Sequence, residues 1–303
     1  MMKQYDLIII GAGPAGMTAL VYATRAGLKA AMLEKDAPGG KLVKTNEIQN
    51  WPGIKETSGV DLALKFFDHA TSFGGEYLYG DVSEIIDNGD IKVVKTTDGE
   101  YHCKAVIVAT GTKERLLNIP NEQRLTGKGV SYCAVCDGSF YRNKEVCVIG
   151  GGNSALEEAL YLTEFASKVK IVIRRDVFRA EPIIQKHVLD NPKIEIITKH
   201  IPVEIVGENN VEQIVLKNVE TEELMTVDTS AVFPYIGLDP NTSFLDNKVL
   251  DSKGYIKVNE KMETEISGIY GAGDVIVKSL RQVVTATNDG AIAAQNVFHL
   301  IKG

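Results

Sequence analysis

Residues 131–140 read SYCAVCDGSF, which sets Cys133 and Cys136 two residues apart with Asp137 directly after. A C-x-x-C pair serves as half of a zinc site, as a structural disulfide, or as a working dithiol. Zinc needs four ligands, usually two such pairs or a Cys/His mixture at short spacing. The chain holds one C-x-x-C, and its five histidines show no metal spacing, so no metal is expected. A structural disulfide across two intervening residues closes a very small loop and constrains little. The dithiol reading carries a mechanism. Exchange with a partner disulfide needs one thiolate to attack and a second thiol to resolve the mixed disulfide. The spacing supplies both, and Asp137 stands where a general acid or base can move the accompanying proton. The plainer reading of Asp137 is a turn carboxylate in the sequence CDG.

The elements that must position this unit come from two similar segments. Residues 6–20 read DLIIIGAGPAGMTAL, and residues 145–160 read EVCVIGGGNSALEEAL. Each is an apolar run, then G-x-G-x-x-G/A, then a helical pattern. The apolar run suits a parallel strand buried on both faces. The first glycine, Gly11 or Gly150, permits the tight turn. The second, Gly13 or Gly152, lets backbone approach a pyrophosphate, and the small third residue, Gly16 or Ala155, lets helix pack close on strand. The helix N-terminus then offers N–H groups and a positive dipole end to phosphates. One such loop is a weak signal, because glycine-rich turns are common. Here the pattern occurs twice, each time with a following strand at the right distance.

The ends of those following strands differ in chemistry. Glu34 lies 23 residues beyond Gly11, and Arg174 lies 24 residues beyond Gly150. A carboxylate there accepts hydrogen bonds from ribose hydroxyls and repels a 2′-phosphate. Arg174, Arg175 and Arg179 do the opposite, since a guanidinium fork matches phosphate oxygens. The first loop is therefore expected to hold FAD or NAD, and the second NADP. The competing view of the arginines is a solvated basic face. Residues 76–110 carry the turn signals DNGD and TDGE of an antiparallel meander, and residues 202–237 alternate short β-like runs. Each half thus reads as βαβ, a small antiparallel layer and a closing strand. The fold class is α/β, a duplicated Rossmann-like dinucleotide-binding domain.

Composition sets the outer limits. The chain has 303 residues, 44% apolar and 24% charged, with a net charge of −7. A nucleic-acid groove would call for a basic excess. No apolar run approaches the ~18–20 residues of a membrane span. The N-terminal MMKQYDLIIIGAG has too short an apolar stretch for a signal peptide. Four cysteines do not make a disulfide scaffold, and Cys103 and Cys147, alone in strand-like runs, read as inert core residues. The expectation is a cytoplasmic protein without nucleic-acid or membrane partners.

The assembled motifs resemble the low-molecular-weight thioredoxin reductases over essentially the whole chain. GAGPAG, GGKLVKTNEIQNWPG, VIVATG, CAVCDG, GGGNSALEEALYL, RRDVFRA, GIYGAGDV and RQVVTATNDGAIAA occur in that family's order. The most specific is the C-A-x-C-D-G unit lying between the two nucleotide motifs. The resemblance implies FAD on Gly11, Gly13, Pro14, Ala15, Gly16, Glu34 and Lys35. It adds Gly40, Lys41, Leu42, Thr45, Asn50 and Gly111 to that site. From the C-terminal motifs it adds Gly273, Asp274, Arg281, Gln282 and Val283. NADPH is implied on Gly150, Gly152, Asn153, Ser154, Ala155, Arg174, Arg175 and Arg179. The implied architecture is of three-layer ββα type, with the second domain inserted into the first. Residues 1–116 and 246–303 form the FAD domain, and residues 117–245 the NADP domain carrying the cysteines.

The implied activity is NADPH-dependent reduction of thioredoxin through FAD and the Cys133–Cys136 pair, with Asp137 catalytic, Cys136 facing the flavin, and a homodimer as the assembly. Dithiol and nicotinamide share one domain, so that domain is expected to rotate about hinges near residues 112–117 and 238–245. Two positions depart from the family. Ile173 stands where it usually has His before the arginine pair, and Lys41 where it usually has Gln. Rival readings are the same fold with reduced ferredoxin as donor, a dithiol oxidase passing electrons to oxygen, and a non-enzymatic flavin redox sensor.

Overall fold

The computed structural model describes residues 3–45 and 48–303, with the backbone alone for Lys3 and Cys136. The chain divides into two compact units, Met1–Lys113 with Asp239–Gly303, and Glu114–Leu238.

The first unit opens with strand β1 (Lys3–Ile10), helix α1 (Pro14–Arg25) and strand β2 (Ala30–Glu34). Leu7, Ile8 and Ile9 are fully buried, as a strand covered on both faces requires. Helix α2 (Gly59–Thr71) and strand β3 (Glu76–Tyr79) follow. Strands β4 (Val82–Asn88), β5 (Ile91–Thr96) and β6 (Gly99–Val108) then make the meander. The sequence pattern places the start of that meander at residue 76. Instead β3 pairs parallel with β2, from Ala31 opposite Glu76 to Glu34 opposite Tyr79. The sheet order is β3-β2-β1-β6-β5-β4. Strand β6 serves twice: it runs parallel beside β1 from Tyr101 to Val108, and Gly99–Cys103 pair antiparallel with β5.

The chain leaves this unit through β7 (Thr112–Glu114). The second unit contains a one-turn helix α3 (Ala134–Asp137), strand β8 (Glu145–Ile149), helix α4 (Asn153–Leu162) and strand β9 (Lys168–Val172). Helix α5 (Pro182–Leu189) and strands β10 (Ile194–Ile197), β11 (His200–Val206), β12 (Gln213–Asn218), β13 (Leu224–Asp228) and β14 (Ala231–Pro234) complete it. A parallel sheet runs β10-β9-β8-β14, and the antiparallel layer β11-β12-β13 is a separate sheet. Ile205, Ile214, Leu216 and Val227 of that layer pack with Cys147, Ile149 and Val232 of the parallel sheet. The chain returns through β15 (Leu238–Pro240), which pairs with β7. Strand β16 (Ile269–Gly271) then joins β6 in parallel, and helix α6 (Val283–Lys302) ends the chain. Helix α6 lies close on α1, where a methyl group on Gly290 would stand 2.1 Å from the Ala15 carbonyl oxygen.

Candidate active site

In the first unit, Gly11 has φ +106°, and a methyl group placed on it would lie 2.4 Å from the Ala109 carbonyl oxygen. On Gly16 such a methyl would lie 1.9 Å from the Gly11 carbonyl oxygen. Both are glycine because the fold itself leaves no room. Gly13 is different. Its backbone is ordinary extended chain, φ −81° and ψ −178°, and an added methyl would meet nothing within 4 Å. Helix α1 starts there with Pro14 in its first turn, no side-chain cap and no acidic residue. That open N-terminus has the geometry of an anion site. Glu34 closes it from β2: its carboxylate accepts the Ala12 amide at 2.9 Å, with the Lys35 and Asp36 amides at 2.8 and 3.0 Å. The carboxylate is thus held at the glycine turn by backbone. Lys35 instead pairs with Asp81 at 3.5 Å on the exposed surface.

Other expected residues gather around this loop. A methyl on Gly40 would come 3.4 Å from Gly13 Cα, so the GGK turn lies directly beside the helix start. Thr45 donates its hydroxyl to the Lys41 carbonyl at 3.0 Å. Asn50 donates to the Gln282 side chain at 3.1 Å across 232 residues of sequence. Gln282 also caps α6, in a reciprocal capping box with Thr285. Leu42 is buried with Ile48, Leu62 and Ala63, and Val283 packs against that cluster. The Gly111 carbonyl accepts the Asn241 amide at 3.1 Å. The Gly273 amide donates to Asp289 at 3.0 Å, and Asp289 pairs with Lys278.

Asp274 is largely buried. Burial raises its pKa, against the opposing fields of Lys41, Lys278 and Arg281. This locates Lys41, whose ammonium acts on Asp274. Arg281 gives its guanidinium to three carbonyls, those of Asp274, Lys278 and Ile276, at 3.1, 3.1 and 3.2 Å, and stacks 4.3 Å over Tyr255. It shapes the loop after Asp274 and has few donors left for a ligand.

The second unit repeats the first loop's logic. Gly150 has φ +143°, and a methyl on it would sit 2.2 Å from the Tyr235 carbonyl oxygen. Ala155 is buried under the turn. Gly152 again is extended, φ −97° and ψ 178°, with nothing within 4 Å of an added methyl. Helix α4 also starts without a side-chain cap or an acidic first turn. Asn153 faces Glu181 reciprocally, donating at 2.9 Å and accepting its amide at 2.8 Å, while Ser154 is exposed. Arg174, Arg175 and Arg179 are exposed beyond β9, and the Arg179 amide returns to the Gly151 carbonyl at 2.7 Å. Ile173 is 4% exposed and packs beneath Gly151, so the residue that replaces His is part of the core.

The cysteine turn hangs from β14. The Ser131 amide donates to the Val232 carbonyl at 3.0 Å. The Ser131 hydroxyl accepts the Cys133 amide at 3.2 Å and lies 3.3 Å from the Cys133 carbonyl oxygen. The Asp137 amide then donates to that same carbonyl at 3.1 Å, closing the single turn of α3. Cys133 is in a disulfide and half-buried, and Asp137 is half-buried beside it. The side chain of Cys136, expected to face the flavin, lies outside the described residues. Cys103 and Cys147 are free and fully buried, and burial pushes both thiols up to about 12. Those two are inert, as the sequence suggested. Two residues of this site went unread in the sequence. Ser131 lies in the quoted stretch itself, but a serine before a cysteine carries no signal of its own. Tyr235, in AVFPYIG, donates nothing recognisable to a motif, yet its hydroxyl accepts the Ala134 amide at 3.0 Å.

Two dinucleotide-type loops and a disulfide turn in one chain define a nucleotide-linked disulfide oxidoreductase. The chain belongs to the pyridine nucleotide-disulphide oxidoreductase family, whose model matches residues 5–290. Within that class its likeness is to thioredoxin reductases. It is 48% identical to thioredoxin reductase of Bacillus subtilis over 302 residues, covering 99% of this chain and 96% of that one. The solved thioredoxin reductase of Lactococcus lactis matches with a TM-score of 0.96 at 44% identity, covering 98% of this chain and 99% of that one. A ferredoxin-flavin thioredoxin reductase from Clostridium acetobutylicum is more distant, with a TM-score of 0.55 at 31% identity and 99% of both chains covered.

Proposed function

We propose that the chain is an NADPH-dependent thioredoxin reductase, carrying FAD on the first loop and NADPH on the second. The observation that supports the dithiol most directly is the contrast among the cysteines. Cys133 is half-buried, disulfide-bonded and followed by a carboxylate, while Cys103 and Cys147 are buried, free and pushed up in pKa. The dinucleotides rest on Gly13 and Gly152, which nothing inside the protein requires to be glycine. Bound there, nicotinamide and flavin supply hydride and electron-pair transfer.

The chain's own residues do the rest. Glu34 takes the ribose of a dinucleotide without a 2′-phosphate. Arg174, Arg175 and Arg179 take the 2′-phosphate of the other, being exposed and close to the loop. Ser131 and the Asp137 amide fix the Cys133 carbonyl and hence the start of the turn. Asp137 gives and takes the proton that accompanies thiol–disulfide exchange. The glycine loop of the second dinucleotide and the dithiol belong to one unit, so turnover calls for rotation about the β7–β15 pair. Asn50 and Gln282, linked to each other, remain assigned to the flavin site, as does Asp274 near Lys41. The protein partner is thioredoxin, the assembly a homodimer and the compartment the cytoplasm. No helix among the described residues is long and apolar enough to cross a membrane.

Anaerobic titration tests the reading. NADPH should bleach the bound flavin, and oxidised thioredoxin should restore its colour. Bleaching by reduced ferredoxin and not by NADPH would overturn the choice of donor. Bleaching without transfer to thioredoxin would overturn the acceptor.

A further inference from the structure

Glu122 is 1% exposed, and its carboxylate takes three hydrogen bonds. The Leu117 amide, the Asn118 amide and the Tyr132 hydroxyl each donate to it at 2.7 Å. A buried carboxylate is costly unless such donors surround it, and once surrounded it fixes them in place. Tyr132 directly precedes Cys133. Its ring packs with Leu117 and Ile119 against the core that joins the second unit's two sheets.

A second phenol holds the other side. Tyr235, directly after β14, accepts the Ala134 amide at 3.0 Å with its hydroxyl. Its own amide donates to the Ile149 carbonyl at 2.7 Å, so its backbone is fixed by β8. Between the two phenols lies Cys133, whose amide donates to the Ser131 hydroxyl at 3.2 Å. The residues before and after Cys133 are thus each bonded through a phenol to a part of the fold outside the turn. The turn needs this support. Helix α3 is a single turn, closed by the Asp137 amide on the Cys133 carbonyl at 3.1 Å, and one isolated turn has little stiffness of its own.

We propose, resting on the reading of Cys133 and Cys136 as the working dithiol, that Tyr132, anchored on Glu122, and Tyr235 are positioning residues: they hold the turn in its closed, disulfide shape and so make the dithiol a stronger reductant. Reduction breaks the S–S bond with two electrons and two protons and leaves two thiols. An opened turn either keeps the phenol bonds and forfeits the freedom that separated thiols would gain, or breaks them. Either way the bonds favour the disulfide over the dithiol. A dithiol that closes readily gives its two electrons readily to a partner disulfide. Without the phenols the turn would be easier to reduce and a poorer donor.

The test uses the FAD-loaded enzyme as wild type, Tyr132→Phe, Tyr235→Phe and Glu122→Gln, with Tyr5→Phe as control. Tyr5 donates to Glu76 at 2.9 Å in the first unit, a phenol–carboxylate bond outside the turn. Each protein is equilibrated anaerobically in mixtures of reduced and oxidised dithiothreitol. The reduced form supplies the two electrons and two protons and closes its own ring disulfide. Acid quenching, alkylation and mass measurement count the thiols beyond Cys103 and Cys147, which are free from the start. Absorbance follows the flavin separately. Tyr132→Phe and Tyr235→Phe should each shift the equilibrium toward the dithiol by about three- to tenfold, the net worth of one hydrogen bond, or about 15–30 mV for a two-electron couple. Glu122→Gln leaves one acceptor oxygen for three donors and should shift it in the same direction. Tyr5→Phe should lower stability without moving it, and the flavin's own equilibrium should stay put throughout. An unmoved equilibrium in either phenol variant, a shift toward disulfide, or an equal shift in Tyr5→Phe would overturn the clamp. A wild type whose flavin is bleached by NADPH without any new thiol appearing would remove the underlying reading instead.

Discussion

Gly152 and Gly150 stand two residues apart and should respond to the same substitution in opposite ways. At Gly152 the backbone is already in a region open to any residue, and an added methyl meets nothing within 4 Å. Alanine there restricts the unfolded chain, which stabilises by about 0.4–1 kcal/mol. It also replaces glycine at an N-cap, which costs about 0.5–1 kcal/mol. The two offset, so Gly152→Ala should leave apoprotein stability within about 1 kcal/mol of wild type. The methyl would stand where a pyrophosphate must approach. Losing one or two charge-assisted amide–phosphate bonds, at about 1.5–3 kcal/mol each, should weaken NADPH binding by roughly 10- to 10⁴-fold. Gly150→Ala should do the reverse. Its φ of +143° is nearly exclusive to glycine, and the methyl would sit 2.2 Å from a backbone oxygen. Strain of about 1–3 kcal/mol adds to the clash, so the apoprotein should melt well below wild type. Thermal unfolding without ligand and fluorescence titration with NADPH separate the two cases. A Gly152→Ala protein that unfolds like Gly150→Ala, or that binds NADPH normally, would refute the assignment of the open glycine to a dinucleotide.

Replacing Asp137 by Asn should slow thioredoxin reduction by roughly 10²–10⁴-fold with NADPH affinity nearly unchanged, and near-normal turnover would return it to a turn residue. Replacing Arg174 and Arg175 together by Ala should cut kcat/KM for NADPH by about 10²–10⁴-fold and barely touch NADH, measured in steady state. A wild type without preference for NADPH would make the arginines a solvated face. Glu158, whose pKa is about 7 in the fold against 4.5 in the free side chain, binds its proton more tightly in the native state. Stability should therefore fall as pH climbs from about 4.5 to 7, by about 3 kcal/mol in total, and Glu158→Gln should abolish that decline in denaturant melts.

Most of the architecture was legible because the signals were local. Two buried β-branched runs ending in G-x-G-x-x-G/A lead into β1–α1 and β8–α4, and DNGD and TDGE fall at the turns of the β4–β5–β6 meander. Strand β3 was absorbed into that meander because EYLY has strand character whichever partner it takes; its parallel pairing with β2 is a tertiary choice. The charges at Glu34 and Arg174 were readable because their distance from the glycine turn is fixed by one helix and one strand. What stayed hidden was the division of labour among side chains. The resemblance puts Arg281 in the flavin site, and the fold adds that its guanidinium also holds three backbone carbonyls. Ile173 reads only as a departure from the family's His, and the fold packs it in the core under Gly151. Tyr235 lies 101 positions from Ala134 in the sequence, and only the fold brings its hydroxyl to that amide.

Strand β6 belongs to both the parallel sheet and the meander, whereas the second unit divides that work between β13 and β14, joined by Thr229 and Ser230. The two antiparallel layers should therefore differ in how they open. In the first unit, β5 cannot separate from β6 without disturbing a strand hydrogen-bonded to β1, so its amides should exchange with deuterium only in large, cooperative openings. In the second unit the layer β11-β12-β13 shares no ladder with its sheet; side-chain packing and single hydrogen bonds, such as that from Lys170 Nζ to the Asp228 carbonyl at 2.9 Å, hold it there. Its central strand β12 should exchange through a smaller, separate opening, leaving β8 and β14 protected. The duplicated fold would then contain one fused and one detachable layer, and the detachable one belongs to the unit that carries the redox turn.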